Sequence, residues 1–255
     1  MPGTITLDPL AQLPGVAVVT IAHPGRLGAM TRAMWLSLRE VFEAVQRDAA
    51  WRCVVVRGEG GAFCAGGDIS EYPSFRFQQA SLRQFHEEDV WGGLQAMLNC
   101  DVPLLAQIDG ACMGAGVEIA ACCDIRVAAR GAKFGAPIAK LGFPMAPREA
   151  QLVARVLGDA TARDMLLAAS VFDAEQMAAR GFLSQVLPAQ EVAPHVLTVA
   201  QRIAALAPLA ARLNKQTLRA LQPPLDEDLH AYDYASSAEH QEGITAFLAK
   251  RPVAF

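Results

Sequence analysis

Charge is scarce in this chain and is not segregated. Only 19% of its 255 residues are charged, the net charge is −4, and no basic stripe is present. That argues against a nucleic-acid partner. The start, Met1 to Pro14, has neither a basic stretch nor a long apolar core, so no signal peptide is expected. No apolar run reaches the roughly 18 residues of a membrane span, because Glu118 and Asp124 interrupt the longest one, around Ala120 to Cys123. The histidines, His23, His86, His195, His230 and His240, show no metal-ligand spacing, which predicts surface or packed residues and no metal site. C-x-x-C pairs are lacking among Cys53, Cys64, Cys100, Cys112, Cys122 and Cys123. Their apolar settings predict reduced, buried thiols in a cytoplasmic protein, not a disulfide frame or zinc site. There is no Walker-type loop and no G-x-S-x-G elbow. Gly114-Ala115-Gly116 lacks the third glycine of a dinucleotide fingerprint, and Glu118 would repel a pyrophosphate there.

What the chain does have is apolar bulk, 53% of its residues, enough for one large domain or one domain with a small appendage. Within it lie two glycine-rich turns, Ala62 to Ile69 and Ile108 to Glu118. Each follows a short apolar run that reads as a buried strand, Cys53 to Val56 and Leu104 to Ile108, and each leads towards a helix. Turns without bulky side chains leave backbone N–H groups free to face a ligand. Two such groups, one per turn, can hold a single carbonyl oxygen, which points to chemistry on a thioester or other acyl group. Cys64 and Cys112 lie in these turns, but no histidine lies near either in sequence to activate a thiol.

Along the chain, Gly15 to Ile21 reads as a strand and Thr31 to Asp48 as a helix with Thr31 as N-cap. Cys53 to Arg57 is a strand, and Ser74 to Asn99 a polar helix with an irregular apolar stripe through Phe77, Leu82, Phe85, Leu94 and Leu98. Strand Leu104 to Ile108, helix Ala115 to Cys122 and strand Ile125 to Ala129 follow. Asp173 to Gln176 reads as a capping box whose helix closes at Gly181. Beyond Ala193 strand signals vanish, and helices are expected over Val196 to Leu206, Leu209 to Leu221, Leu225 to Glu239 and Gly243 to Lys250. Alternating strands and helices predict an α/β body over residues 1–194 and a helical segment over 195–255.

Taken in order, the motifs resemble the crotonase superfamily of enoyl-CoA hydratases and isomerases. Phe63 to Asp68 resembles its A-F-[CS]-A-G-[AG]-D turn, and Asp109 to Glu118 its N-G-x-x-x-G-[GA]-G-x-E turn. Cys123 to Ala128 resembles C-D-x-x-x-A, Phe172 to Leu187 the stretch ending G-L-V-x-x-V, and Glu242 to Arg251 the C-terminal signature. The resemblance implies a spiral of ββα units followed by a helical trimerisation segment. It places the oxyanion donors at the amides of Gly67 and Ala115, the latter opening a helix, and maps Glu118 onto one of two catalytic glutamates. A carboxylate there reaches a water or an alpha proton, and its apolar neighbours would raise its pKa. The alternative is a helix-start glutamate favoured by the dipole.

The chief departure lies in Phe134-Gly135-Ala136-Pro137-Ile138, where Ile138 occupies the place of the second glutamate. Isoleucine moves no proton, so hydration by a pair of carboxylates and isomerisation through the second one are both in question. Where P-G-x-G-G is common, the chain has Met145 to Glu149. Glu149 is either a substitute acid/base or a solvated first-turn residue behind Pro147. Glu87, Glu88 and Asp89 read as a solvated face.

By resemblance, Arg26 and Leu27 meet the adenosine part of coenzyme A, Ala65, Asp68 and Ile69 flank the pantetheine channel, and Lys250 meets CoA phosphates from a neighbouring subunit. Gly114, Ile138 and Phe247 belong to the same substrate-binding set. Ser70 stands where a lysine is common. Arg26 and Lys250 can equally be surface cations. The expectation is an acyl-CoA enzyme of enoyl-CoA hydratase/isomerase type. Its only coenzyme is the CoA of its substrate, and it assembles as a homotrimer or dimer of trimers. Isomerisation, C–C cleavage, decarboxylation, or acyl-CoA binding without turnover are the alternatives.

Overall fold

Apolar runs too long to alternate with polar residues must be buried on both faces, and that is how the central sheet is built. The computed structural model describes residues 1–222 and 232–254. Strands β1 (Thr4–Pro9) and β2 (Val16–Ala22) pair antiparallel; then come helix α1 (Arg32–Arg47), strand β3 (Cys53–Gly58), helices α2 (Gln79–Gln84) and α3 (Trp91–Asn99), and strand β4 (Leu104–Ile108). Next are β5 (Ala111–Met113), α4 (Ala115–Cys122), β6 (Ile125–Ala129), β7 (Lys133–Gly135), α5 (Pro147–Leu157) and α6 (Asp159–Leu167). The remainder is β8 (Val171–Asp173), α7 (Ala174–Ala179), β9 (Gln185–Leu187), α8 (Ala189–Ala204), α9 (Pro208–Ala220) and α10 (Ala238–Leu248). The large sheet runs β1-β2-β3-β4-β6-β9, parallel from β2 onward, and a small sheet runs β5-β7-β8.

Period-two alternation sorts the strand residues between two layers. Val16, Val18, Cys53, Val55, Leu105 and Val127 face α8, meeting Val192, Val196, Val199 and Ile203. Ala17, Val19, Val54, Val56, Leu104 and Ala106 face the other way, onto α1, α3 and α4. Each such aliphatic side chain stabilises the fold by about 1.5–3 kcal/mol on full burial. Helix α1 presents Met34, Trp35, Leu38, Phe42 and Val45 to that core, and the Thr31 side chain accepts from the Met34 amide at its start. Asp173 and Gln176 form the reciprocal capping box of α7, and Gly181, at φ +80°, follows its end.

The structure corrects the reading of the chain in several places. Helix α8 begins at Ala189 and runs through Pro194, so position 194 lies inside a helix and not at a boundary, and that helix packs on the sheet. The segment Ser74 to Asn99 is not one helix. A 3-10 turn (Ile69–Ser74) precedes α2, and a π-helical turn (Phe85–Val90) joins α2 to α3. The wider π turn carries an extra residue, which is why the apolar stripe looked irregular in the sequence. Strands β1, β5, β7, β8 and β9 escaped the sequence reading because they are short or, in β1, alternate between exposed and buried positions. Of the helix expected over Leu225 to Glu239, the residues through 231 lie outside the described residues, as does His230; a 3-10 turn, Asp233–Ser236, precedes α10. Among the described residues no single helix is long and apolar enough to cross a membrane.

Candidate active site

The two glycine-rich turns lie side by side, stitched by backbone hydrogen bonds. Phe63 N and Cys64 N both donate to Ala111 O at 2.9 Å, and Met113 N donates to Cys64 O at 2.9 Å. The contact is close enough to demand glycine: a Cβ on Gly116 would stand 2.6 Å from Cys64 O. Gly66 takes φ +109°, a backbone region closed to side chains in practice. The amides of Gly67 and Ala115 donate to no partner among the described residues. For Ala115 the reason is geometric, since it opens α4 and first-turn amides have no acceptor within the helix.

Helix α4 is buried on all sides, so Glu118 in its first turn is 6% exposed. Burial first, and the nearby Glu149 second, push its carboxyl well above the ordinary range, with Arg76 opposing. Glu149 sits in the first turn of α5 behind Pro147 and is 4% exposed. Its carboxyl is raised to about 8, chiefly by burial, with Arg76 lowering it and Glu87 raising it. The solvated reading of Glu149 is thereby overturned, because the chain after Pro144 turns α5 inward. His86, from the π turn, places Nδ1 2.7 Å from Glu149 Oε1. Burial and Arg76 hold His86 well below its ordinary pKa, so it is neutral. Its Nε2 is buried and has no hydrogen-bond partner among the described residues. Tyr232 stacks on the His86 ring at 5.7 Å and donates to Glu87, which pairs with Arg148 at 3.0 Å.

A cavity of about 240 Å³ joins these groups. Gly67, Gly114, Ala115, Glu118, Ile138 and Glu149 all line it, as do Ala65, Ile69 and Phe247 nearer the outside. Arg26, Leu27, Asp68 and Lys250 are not part of its wall. Asp68 is committed elsewhere: its Oδ1 takes Arg26 Nη1 at 2.8 Å and Ser70 Oγ at 2.6 Å. Leu27 is exposed, with its carbonyl accepting from Ala65 N at 3.0 Å. Lys250 follows α10 on the surface at φ +52°. A larger groove, about 720 Å³, lies between α3, α4 and α9 and holds neither turn nor Glu118.

The charge run is also corrected. Only Glu88 is exposed; Asp89 is buried and bound by Arg32 at 2.7 Å, and Glu87 is half-buried. Sequence reasoning missed Tyr72, Arg76 and His86 as cavity residues. A signal existed for the first, since the 3-10 turn starts directly after Asp68 and must keep Tyr72 beside the first glycine turn. All six cysteines are free and buried, and burial raises the Cys64 thiol to about 12, which leaves it a protonated packing residue.

Comparison with known proteins agrees with this architecture. The family model described as enoyl-CoA hydratase/isomerase matches residues 12–255. The crotonyl-CoA hydratase of Syntrophomonas wolfei is 31% identical over 247 residues, covering 94% of each chain. The 2,3-dehydroadipyl-CoA hydratase of Escherichia coli is 31% identical over 242 residues, covering 92% of this chain and 93% of its own. An enoyl-CoA hydratase/carnithine racemase from Magnetospirillum magneticum superposes with a TM-score of 0.82 at 34% identity, covering 98% of this chain and 94% of its own. With these matches spanning nearly its whole length, the chain belongs to the enoyl-CoA hydratase/isomerase family.

Proposed function

We propose that this acyl-CoA enzyme hydrates a 2-enoyl thioester with a carboxyl pair drawn from Glu118 and Glu149. One observation carries the reading: Glu149 and Glu118 line the same cavity as the free amides of Gly67 and Ala115, although Ile138 fills the position of the second family glutamate. The thioester oxygen sits between the two amides, aided by the positive end of α4. Glu149, held by His86, takes a proton from water as the water oxygen bonds to C3. The C2=C3 pair moves into the enolate, and Glu118, still protonated, delivers a proton to C2. Water is consumed, proton exchange with solvent returns Glu149 and Glu118 to their starting states, and no redox partner is required. His86 holds the Glu149 carboxyl in place through its 2.7 Å contact.

The reading includes self-association. Helix α9 buries no side chain within one chain and exposes Leu209, Leu213 and Leu218, while its polar face is tied down by Lys215 to Asp124 at 2.8 Å and Arg219 to Asp101 at 2.8 Å. A homotrimer or dimer of trimers covers that apolar edge. A cytoplasmic setting fits the free thiols.

The test is loss of conjugated-thioester absorbance when purified protein meets crotonyl-CoA, with 3-hydroxybutyryl-CoA identified as product. Glu118→Gln should lower kcat about a hundredfold or more. Tight binding of several enoyl-CoA lengths without turnover would replace this reading with that of a non-catalytic acyl-CoA binder.

A further inference from the structure

The cavity holds a cation that hydration does not use. Arg76 is 1% exposed, among the largest fully buried side chains, and lines the cavity with Glu118. Its guanidinium carbon lies 4.1 Å from the ring centre of Phe143, 4.4 Å from that of Tyr72 and 5.8 Å from that of Phe85. Stacking of this kind favours a cation but does not neutralise it.

Its hydrogen bonds do not neutralise it either. Nε donates to His240 Nε2 at 3.4 Å and Nη2 to Tyr234 Oη at 3.2 Å. Both acceptors are neutral: His240 Nδ1 faces Ala235 O at 2.9 Å, which leaves Nε2 as the bare acceptor, and burial holds this ring near a pKa of about 4. A guanidinium offers five N–H donors, so among the described residues three stay unused and no carboxylate lies within ion-pair distance. The other inward-facing arginines are satisfied differently. Arg126 gives its donors to the carbonyls of Phe182, Ala120 and Cys123, and Arg32 pairs with Asp89 at 2.7 Å. Burying an unpaired charge is costly, and a fold keeps one where a ligand completes it.

We propose that Arg76 receives a second carboxylate carried by the acyl group, so that the cavity takes the CoA thioester of a short dicarboxylic acid. This rests on the acyl-CoA reading above and names its substrate class. The Tyr72 ring sets the distance. Its hydroxyl lies against Gly67, where a Cβ would meet it at 2.0 Å, and its face lies beneath the guanidinium. A single phenol therefore spans from an oxyanion amide to Arg76, the reach of a short acyl chain. The walls between are apolar, from Phe85, Val90 and Phe143, and suit methylenes. Charge agrees: burial keeps the carboxyls of Glu118 and Glu149 raised, leaving the guanidinium as the standing charge at neutral pH. A planar fork matches a carboxylate in two-point contact, so charge and shape both select it.

The test is calorimetric binding of saturated thioesters, which cannot undergo addition, to the full-length protein. Glutaryl-CoA is compared with pentanoyl-CoA, and adipyl-CoA with hexanoyl-CoA. At one length or both, the ω-carboxylate should tighten binding at least tenfold. Arg76→Met should erase that preference, and Arg76→Lys should keep part of it. Equal or weaker binding of the diacid thioesters by the unmodified protein at both lengths overturns the inference, whether or not any variant folds. The hydration reading would survive that result, because crotonyl-CoA turnover and its loss in Glu118→Gln test it separately. Failure to bind any acyl-CoA would sink both.

Discussion

His86 Nδ1 stands 2.7 Å from Glu149 Oε1, and both side chains are buried in the cavity that Glu118 lines. The histidine comes from a π turn and the glutamate from the first turn of α5, so the pair exists only once the chain has folded. Removing one member of a buried pair strands the other. His86→Phe should therefore cost about 1–3 kcal/mol of stability, read by denaturant unfolding. It should also lower kcat for enoyl-CoA hydration by at least tenfold with KM nearly unchanged. His86→Gln, which can still donate to the carboxyl, should recover part of both. An unchanged kcat in His86→Phe would remove His86 from the reaction as a positioning residue.

Replacing Glu149 tests the second carboxyl directly. Glu149→Gln should reduce kcat about a hundredfold or more, in line with loss of a positioned acid or base. Because the two carboxyls serve one addition in the proposed mechanism, the Glu118→Gln/Glu149→Gln double variant should fall far short of the product of the single losses. Ile138 faces the same cavity. In the Glu149→Gln background, Ile138→Glu should restore at least tenfold of the lost turnover. No recovery would mean that the cavity no longer fits a carboxyl at that position.

The raised carboxyls also fix how stability responds to pH. Glu149 moves from 4.5 unfolded to about 8 folded, and Glu118 is raised in the same direction. Between those limits these two carboxyls hold more protons in the folded chain than in the unfolded one, so the stability they contribute is greatest at low pH and falls as pH rises. Each group contributes a slope of about 1.4 kcal/mol per pH unit. His86 and His240, both depressed below 6.5, act oppositely, adding stability as pH rises towards 6.5 and nothing above it. The opposing slopes thus roughly cancel between pH 4.5 and 6.5, and the net slope is negative above 6.5. Unfolding free energies from pH 5 to 8 should show this, and Glu149→Gln should flatten the line by about 1.4 kcal/mol per unit. Hydration should rise with pH through about 8 as Glu149 ionises.

Much of the frame was legible because local rules decided it. Strands β4 and β6 and helix α4 fall where the apolar runs and the second glycine turn put them, and Thr31 and Asp173 cap the helices they were read to cap. Legibility failed where distant contacts overrode local pattern. Position 194 looked like the end of the α/β body, but Pro194 sits within α8, whose burial against the sheet outweighs the one lost backbone bond. Glu87 and Asp89 looked solvated, yet Arg148 and Arg32 arrive from elsewhere to pair them. Glu149 looked like a dipole-favoured surface residue because nothing nearby in sequence announces His86. Arg76 is the same case: its charge is ordinary in sequence, and only the three rings around it show that it is buried.

The first glycine turn offers a steric test of its own. Gly67 has an ordinary backbone conformation, so alanine is barred there by space and not by φ. Its Cβ would meet Tyr72 Oη at 2.0 Å. A flexible side chain would swing aside, but Tyr72 is wedged by Phe75 at 5.8 Å, Phe85 at 6.1 Å and Phe143 at 5.9 Å, with Arg76 over its face. Gly67→Ala should therefore cost about 1–3 kcal/mol, as overpacking does, and shift the amide proposed to bind the thioester oxygen. Turnover of crotonyl-CoA should drop about a hundredfold or more. Tyr72→Phe deletes only the colliding atom. Combined with Gly67→Ala it should return more than half of the lost stability, measured by denaturant midpoint, while Tyr72→Phe alone stays within ~0.5 kcal/mol of the parent. If the double variant is no more stable than Gly67→Ala, the clash with the tyrosine hydroxyl is not what keeps glycine at this position.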